Sequence, residues 1–215
     1  MNMRAKSIFK RLLLLGGGGH CRSVLDTLIE LNMFDEIGIV DKTLISSNLN
    51  IVGTDDDLPI LFENGWKYAF ITVGSIGNTA LRRKLYIQAK KIGFEFPIIV
   101  DKSAIVSRNA QIGEGTFIGK RAVVNTDSVI GICGIINTGA VIEHNCTLGD
   151  FVHIAPSATI CGEVKIENDS HIGTGSSVRQ QISIGENCLI GVGSAVVSDI
   201  PDNSIAYGNP CRVKK

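Results

Sequence analysis

The sequence predicts a fold in two parts: a small α/β domain with a parallel sheet, followed by a β-solenoid of six-residue repeats. Residues 1 to about 98 alternate short apolar runs with helical patterns, whereas the hydrophobic period becomes six from Val100 onward. The composition agrees, because 24 glycines and an aromatic content of only 6% imply a core of Ile, Val and Leu. We therefore predict two domains, residues 1–98 and residues 99–215.

The period of six runs through seventeen consecutive positions, each occupied by Ile, Leu or Val. These are Val100, Val106, Ile112, Ile118, Val124, Ile130, Ile136, Ile142, Leu148, Ile154, Ile160, Ile166, Ile172, Val178, Ile184, Ile190 and Val196. Such a period fits neither a helix nor a hairpin array, but it is typical of short flat strands joined by tight corners. With three hexads in a coil of eighteen residues, the aliphatic side chains are predicted to fill the interior of nearly six coils.

Two further regularities accompany each inward position. The residue two places before it is usually small, which suits a crowded corner. The residue after it is often glycine, and we interpret these glycines as supplying the backbone angles that a corner requires. They are Gly113, Gly119, Gly131, Gly149, Gly173, Gly185 and Gly191.

The first 98 residues predict alternating strands and helices, which is typical of a parallel sheet with crossover helices. The predicted elements are a strand at Leu12–Leu15, a helix at His20–Asn32, strands at Glu36–Asp41 and Tyr68–Val73, a helix from about Asn78 to Ile92, and a loop from Lys42 to Gly53. This is a Rossmann-like arrangement, although short for two nucleotides. The run Leu12–Leu15 follows several basic residues, as in a secretory signal, but a buried first strand explains it better because Gly16–Gly19 interrupts it.

Charge and cysteine content exclude several function classes. The 21 basic and 21 acidic residues cancel, so no basic excess predicts nucleic acid binding. No segment approaches the ~18 apolar residues that span a bilayer, so no membrane insertion is expected. The six cysteines form no CxxC pair, and we interpret them as small buried residues in a reducing cytoplasm.

Several motifs resemble the hexapeptide-repeat acyltransferases. The resemblance covers essentially the whole chain and is strongest to nucleotide-sugar acetyltransferases, typified by the bacillosamine-pathway N-acetyltransferase and the sialic-acid O-acetyltransferases. The motifs are Leu15–His20, Val40–Lys42, Asn137–Cys146, Gly149–His153, Gly162 and Gly208–Cys211. The resemblance implies that the solenoid is a left-handed parallel β-helix, that acetyl-CoA is the co-substrate, and that a homotrimer places active sites between its subunits.

His144 is the candidate catalytic residue. Acetyl transfer from a thioester requires a base for the nucleophile's proton, and a histidine suits that role because its ordinary pKa lies near 6.5. The resemblance implies that His144 is this general base, in a cleft between subunits. Many relatives carry an acidic residue directly after it, whereas this chain has Asn145. Asp127, Glu143 or Asp150 could substitute for the missing carboxylate.

The resemblance also implies the acetyl-CoA contacts His153, Gly162, Thr174 and Val192, with His153 donating toward the reacting carbonyl. His171 follows His153 by eighteen residues, so we expect the two to stack one coil apart, with His171 in a structural or rim position. Three solenoid histidines suggest a zinc site as an alternative. Their sequence spacing differs from that of the zinc ligands in the carbonic anhydrases that share this fold, so no metal is predicted.

The glycine run Gly16–Gly19 lies between a predicted strand and a predicted helix, where backbone N–H groups bind phosphate well. An NAD site is a weak alternative because the third glycine of GxGxxG is replaced by Arg22. The resemblance implies that a nucleotide-linked sugar is held by Gly18, His20, Asp41, Lys42, Gly74, Asn78 and Asn137, with Asn137 facing the sugar near His144.

The sequence thus predicts a cytoplasmic acyltransferase of glycan biosynthesis. Its predicted activity is direct transfer of an acetyl group from acetyl-CoA to the amino group of a UDP-, GDP- or dTDP-linked sugar. One alternative is an O-acetyltransferase of sialic acid or a related sugar. A second is a non-enzymatic nucleotide-sugar-binding protein, which Asn145 slightly favours.

Overall fold

The computed structural model describes residues 9–42 and 49–214. Its N-terminal part contains β1 (Arg11–Leu15), α1 (Gly19–Leu31), β2 (Glu36–Val40), β3 (Ile51–Gly53), a 3₁₀ turn (Asp55–Asp57), α2 (Leu58–Glu63), β4 (Tyr68–Ile71) and α3 (Ala80–Ile92). The four strands form one parallel sheet in the order β3-β2-β1-β4. The α/β prediction is confirmed, including the strand at Leu12–Leu15, whose four leucines have no exposed surface.

Two elements differ from the sequence prediction. The predicted loop Lys42–Gly53 ends in β3, an edge strand of three residues that is too short for its hydrophobic pattern to stand out. Residues 43–48 of that loop lie outside the described residues. The helix α2 was not predicted, because its six residues are fewer than two helical turns and begin with Leu58-Pro59.

The second part is a three-sided solenoid whose strands each contain two residues. The first face holds Ile99–Val100, Phe117–Ile118, Ile135–Ile136, His153–Ile154, His171–Ile172 and Leu189–Ile190, and it is extended by Ile205–Tyr207 and Arg212–Val213. The second face holds Ile105–Val106, Val123–Val124, Val141–Ile142, Thr159–Ile160, Ser177–Val178 and Ala195–Val196. The third face holds Gln111–Ile112, Val129–Ile130, Thr147–Leu148, Lys165–Ile166 and Ser183–Ile184.

Neighbouring strands on each face are parallel and eighteen residues apart, as in the pairing of Ile136 with Ile118 and Ile154. The chain therefore forms the predicted left-handed parallel β-helix, with about six turns. The inward positions from Ile118 to Val196 are at most 2% exposed, while Val100, Val106 and Ile112 are half-buried at the start of the solenoid. The period of six thus identified the interior correctly.

The predicted role of the glycines was wrong. From Gly115 to Gly193, the left-handed backbone angle of each corner falls three residues after the inward position, and most of these corners place a non-glycine residue there, such as Asn145 with φ 59°. Glycine directly after the inward position serves close stacking instead. A Cβ on Gly113 would lie 2.5 Å from the backbone of Gly131, and one on Gly185 would lie 2.2 Å from the carboxylate of Asp202.

The α/β part packs on the first face. Phe117 and Ile135 point outward from that face and are buried against Leu12, Leu14 and Phe70 of the sheet. Because Ile99–Val100 is the first solenoid strand, we propose that the domain boundary lies between residues 98 and 99. This packing places the carboxyl edge of the sheet beside the upper coils of the first face, where the candidate site lies.

Candidate active site

The glycine loop lies at the carboxyl edge of the sheet. Gly18 caps α1 in an extended conformation and offers no side chain, so the backbone at the start of the helix is open to a ligand. Asp41 follows β2, and its carboxylate accepts a hydrogen bond of 2.7 Å from the backbone N–H of Gly17. This bond fixes the predicted ribose-binding carboxylate against the predicted phosphate-binding loop.

A cavity of about 300 Å³, the N-terminal cavity, opens at this edge between β1 and β4. It lies where the strand order reverses direction, which is the usual ligand position in parallel sheets. Its polar lining includes the predicted Asp41 and Lys42, with Lys42 3.5 Å from Asp55. Lys84 of α3 also lines the cavity and was missed, although its spacing from Leu81 and Leu85 on one helix face could have indicated it.

His20 lies beside Gly74 but faces the solenoid. A Cβ on Gly74 would be 3.9 Å from the Cβ of His20, and the His20 ring packs edge-on against Phe117 with 5.5 Å between ring centroids. Its Nε2 is buried without a hydrogen-bond partner. Burial, with the nearby positive charge of Arg82, lowers the pKa of His20 to about 4. His20 is therefore neutral at pH 7 and lies at the junction of the two domains.

Asn78 lies apart from the N-terminal cavity. Its side-chain oxygen accepts a hydrogen bond of 2.9 Å from the backbone N–H of Ala80 at the start of α3. It lines a separate polar cavity of about 410 Å³, where Arg83 pairs with Asp169 at 2.6 Å. The structure thus does not bring Asn78 together with Gly74 in one crevice.

His144 occupies the corner between the second and third faces and is exposed. Its Nδ1 is 2.9 Å from the side-chain oxygen of Asn145. Because an amide oxygen only accepts hydrogen bonds, Nδ1 is the donor, so in the neutral ring Nε2 is the nitrogen that carries the lone pair. His144 also lines a polar cavity of about 230 Å³ with Gly162 and Glu163. An imidazole in this tautomer can accept a proton at Nε2.

Gly162 lies directly against the ring of His144. A Cβ added to Gly162 would be 2.6 Å from Cε1 and 2.7 Å from Nε2 of the imidazole. Gly162 was predicted as an acetyl-CoA contact, and within this chain its lack of a side chain leaves space for the imidazole of His144. Sequence spacing could have indicated this, because Gly162 follows His144 by one coil of eighteen residues.

One carboxylate that lines the His144 cavity was not among the predicted substitutes. Glu143 accepts a hydrogen bond from Asn125 at 3.0 Å, and Asp150 accepts one from the backbone of Ile132 at 3.0 Å. Asp127 lies one coil before Asn145 and accepts a hydrogen bond from Thr126. Glu163, one coil after Asn145, lines the His144 cavity. Asn145 is therefore the side chain bonded to the imidazole, and Glu163 is a carboxylate of the cavity that the sequence analysis did not single out.

His153 is held by two groups of its own chain. Its Nδ1 lies 2.8 Å from the backbone oxygen of Ser75, which only accepts hydrogen bonds, so Nδ1 donates. The amide nitrogen of Asn137 donates to Nε2 at 3.3 Å. Burial is the main cause that lowers the pKa of His153 to about 3. The single N–H of this neutral ring is used by Ser75, so it cannot also donate to a thioester carbonyl, and Asn137 contacts His153 rather than His144.

Three of the four predicted acetyl-CoA residues meet in one cavity. His153, Thr174 and Val192 line an apolar cavity of about 320 Å³, together with Ile76 from the α/β part. His171 lines it too, and its ring packs edge-on against His153 with 4.7 Å between centroids, which confirms the predicted stacking. His171 is thus part of a cavity wall and not of the solenoid rim.

The buried histidines predict a pH-dependent stability. The pKa values of His20 and His153 are about 4 and about 3 in the folded chain, against an ordinary 6.5. The unfolded chain therefore takes up protons first, so the stabilisation is complete above pH 6.5 and is lost as the pH falls toward 4 and 3. We expect the protonation of each histidine in the unfolded chain to lower the unfolding free energy by at most about 3 kcal/mol at pH 4. Urea unfolding between pH 7 and 4 measures this.

The variant His153→Gln serves as the control, since glutamine does not titrate. Its unfolding free energy should be lower at pH 7 but should fall less steeply below pH 6.5. An equal slope for both proteins would contradict the assignment of a neutral buried His153.

Among residues 9–42 and 49–214, no group of three or more His, Cys, Asp or Glu side chains could hold a metal ion. In the same part of the chain, no helix is both long and apolar enough to cross a membrane. The six cysteines are unpaired, and five of them are buried, as expected for small core residues.

Comparison with known proteins agrees with this geometry. Residues 11–89 match the PglD N-terminal domain, and residues 181–213 match the hexapeptide repeat of succinyl-transferase. Comparison with curated protein sequences finds no match.

Solved structures give longer matches. The acetyltransferase domain of PglB from Neisseria gonorrhoeae FA1090, in complex with acetyl coenzyme A, is 35% identical, with a TM-score of 0.89 over 95% of this chain and 99% of the other. PerB from Caulobacter crescentus, in complex with CoA and GDP-perosamine, is 34% identical, with a TM-score of 0.89 over 95% and 97%. A histidine mutant of perosamine N-acetyltransferase from the same organism, with the same two ligands, is 32% identical over 95% and 96%, again with a TM-score of 0.89.

These matches extend over both parts of the chain and agree with the motifs that the sequence carries. The chain therefore belongs to the hexapeptide-repeat acyltransferases with a PglD-type N-terminal domain, an enzyme family of nucleotide-sugar pathways whose co-substrate is acetyl-CoA.

Proposed function

We propose that this protein transfers an acetyl group from acetyl-CoA to the amino group of a nucleotide-linked amino sugar. The observation that carries the proposal is the state of His144, which is exposed at a polar corner with Nδ1 bound to Asn145 and Nε2 free to accept a proton. The structural relatives support the substrate class, since one of them binds both CoA and GDP-perosamine.

The proposed mechanism is direct transfer within a ternary complex. Nε2 of His144 removes a proton from the sugar amine as the amine nitrogen attacks the thioester carbonyl. The tetrahedral intermediate collapses with cleavage of the C–S bond, and the CoA thiolate leaves and takes a proton from the imidazolium. Asn145 keeps the productive tautomer through its side-chain oxygen. No covalent enzyme intermediate is required.

The proposed active site needs a second subunit. Thr174 and Val192 lie at the corner that follows the first face, whereas His144 lies at the corner that follows the second. The two cavities of one chain share no lining residue. We propose a homotrimer in which His144 of one subunit faces the apolar cavity of its neighbour. The cytoplasmic location and the role in glycan biosynthesis stay predictions from the sequence.

A comparison of acceptors tests the proposed activity. We expect the highest kcat/KM with acetyl-CoA and a nucleotide-linked amino sugar, with GDP-perosamine and a UDP-linked 4-amino sugar as the probes. Thiol release measured with N-acetylneuraminic acid should stay near background. Faster acetylation of the sialic acid would replace the proposal by the O-acetyltransferase alternative. Absence of CoA binding in calorimetry would favour the non-enzymatic binding protein.

A further inference from the structure

The apolar cavity contains one polar side chain that no established or proposed role uses. His171 is 7% exposed, and its ring lines the cavity beside Leu189 and Val192. Its Nδ1 is buried without a hydrogen-bond partner, and Nε2 forms no hydrogen bond with the described residues either. A buried polar ring that lacks a partner at both nitrogens is costly, and a ligand group that pairs with Nε2 would offset part of that cost.

The protonation state of His171 decides what it can offer. Burial lowers the pKa of His171, so the ring is neutral at pH 7 and carries a single N–H. A buried nitrogen without a partner is tolerated better as a bare acceptor than as an unsatisfied donor. The proton therefore belongs on Nε2, the nitrogen that can reach the cavity, and the ring presents a donor there.

The neighbouring histidine cannot supply that donor. The N–H of His153 is used by Ser75, and its Nε2 accepts from Asn137. The edge-on packing of the two rings, with an interplanar angle of 83°, holds His171 in place. The remaining lining is mostly aliphatic and includes Ile76, Pro156 and Leu189. Apart from the exposed Thr174, His171 is the one side chain of the described lining that can donate a hydrogen bond to an occupant.

We propose that His171 binds the acyl donor, its Nε2–H donating to a carbonyl oxygen of the acyl-pantetheine chain in the apolar cavity. The proposal rests on the proposed function, because it assumes that acetyl-CoA occupies this cavity. The carbonyl belongs either to the thioester or to a pantetheine amide, and both present the same acceptor chemistry.

The test compares His171→Phe, His171→Gln and the wild-type protein by calorimetry with acetyl-CoA and with CoA. Phenylalanine keeps a flat ring against His153 but donates nothing, so we expect about 3- to 10-fold weaker binding, the usual effect of one lost hydrogen bond. Glutamine keeps an N–H donor and should recover most of the affinity. Lys165→Gln, an outward residue on the third face, is the control for surface substitutions.

Comparing acetyl-CoA with CoA identifies which carbonyl accepts the hydrogen bond from His171, the thioester or a pantetheine amide. Weaker binding of acetyl-CoA with unchanged binding of CoA assigns the thioester carbonyl, while equal weakening of both assigns a pantetheine amide. Equal affinities of the wild-type protein and His171→Phe for both ligands would overturn this inference and leave the proposed function intact. Failure of the wild-type protein to bind either ligand would overturn both.

Discussion

Replacing His144 with alanine is expected to lower kcat by about 10²- to 10⁴-fold, the usual contribution of a general base. The substitution removes the imidazole whose Nε2 is left open to a substrate amine, since Nδ1 is bound to Asn145. His144 is exposed, so the loss of its side chain should change the unfolding free energy little. Steady-state kinetics and thermal unfolding measure the two effects separately.

The matched control for this experiment is Thr126→Ala, which changes the same corner position one coil earlier and lies outside the His144 cavity. It should leave kcat within about twofold of the wild-type value, as is usual for surface positions. The KM for acetyl-CoA should stay the same in His144→Ala, because the base acts on the amine. A His144→Ala variant with wild-type kcat would refute the proposed mechanism.

Asn145, the residue after His144, leads to a further prediction about the pH dependence of the reaction. An amide fixes the tautomer of His144 but does not stabilise the imidazolium as a carboxylate would. The change Asn145→Asp should therefore raise the apparent pKa in the pH profile of kcat/KM, whereas Asn145→Ala should lower kcat by releasing Nδ1.

The interior of the solenoid could be predicted from the sequence because it depends on a single local rule. An aliphatic residue at every sixth position faces inward whatever the neighbouring coils contain, as the burial from Ile118 to Val196 shows. The α/β elements were also predictable where their patterns were long, as for α1. The edge strand Ile51–Gly53 was missed because three residues carry too little periodicity.

The candidate site was less predictable, because contacts between coils and between domains determine it. The role of Gly162 depends on stacking one coil above His144, and that of Lys84 depends on how α3 crosses the sheet edge. His171 was expected in a structural or rim position because the sequence pattern does not reveal that Ile76 of the α/β part closes a cavity over it. Residue spacing placed these side chains on the correct coils, but only packing shows what they contact.

Gly162 gives the second large expected effect. A Cβ at this position would lie 2.6 Å from Cε1 of His144, about 1 Å closer than ordinary van der Waals contact, so Gly162→Ala must displace the imidazole. Because the ring is exposed, it can rotate away from Gly162 with little loss of stability. It then loses its hydrogen bond to Asn145 and no longer points Nε2 toward the substrate amine. Misplacement of a reacting group by about 1 Å can cost about 10²-fold in rate, and we expect that loss in kcat.

A double-mutant cycle decides whether Gly162 acts through His144 or through acetyl-CoA. If the clash with the ring is the cause, Gly162→Ala should have no further effect on the residual rate in the His144→Ala background, because the ring is gone and coupled residues are not additive. CoA affinity should then be the same in all four proteins. If Gly162 instead contacts the co-substrate, as the sequence resemblance implies, CoA binding should weaken in both backgrounds. The first pattern would show that His144 is oriented correctly only when residue 162 has no side chain. The orientation of His144 would then depend on the coil above it as well as on Asn145.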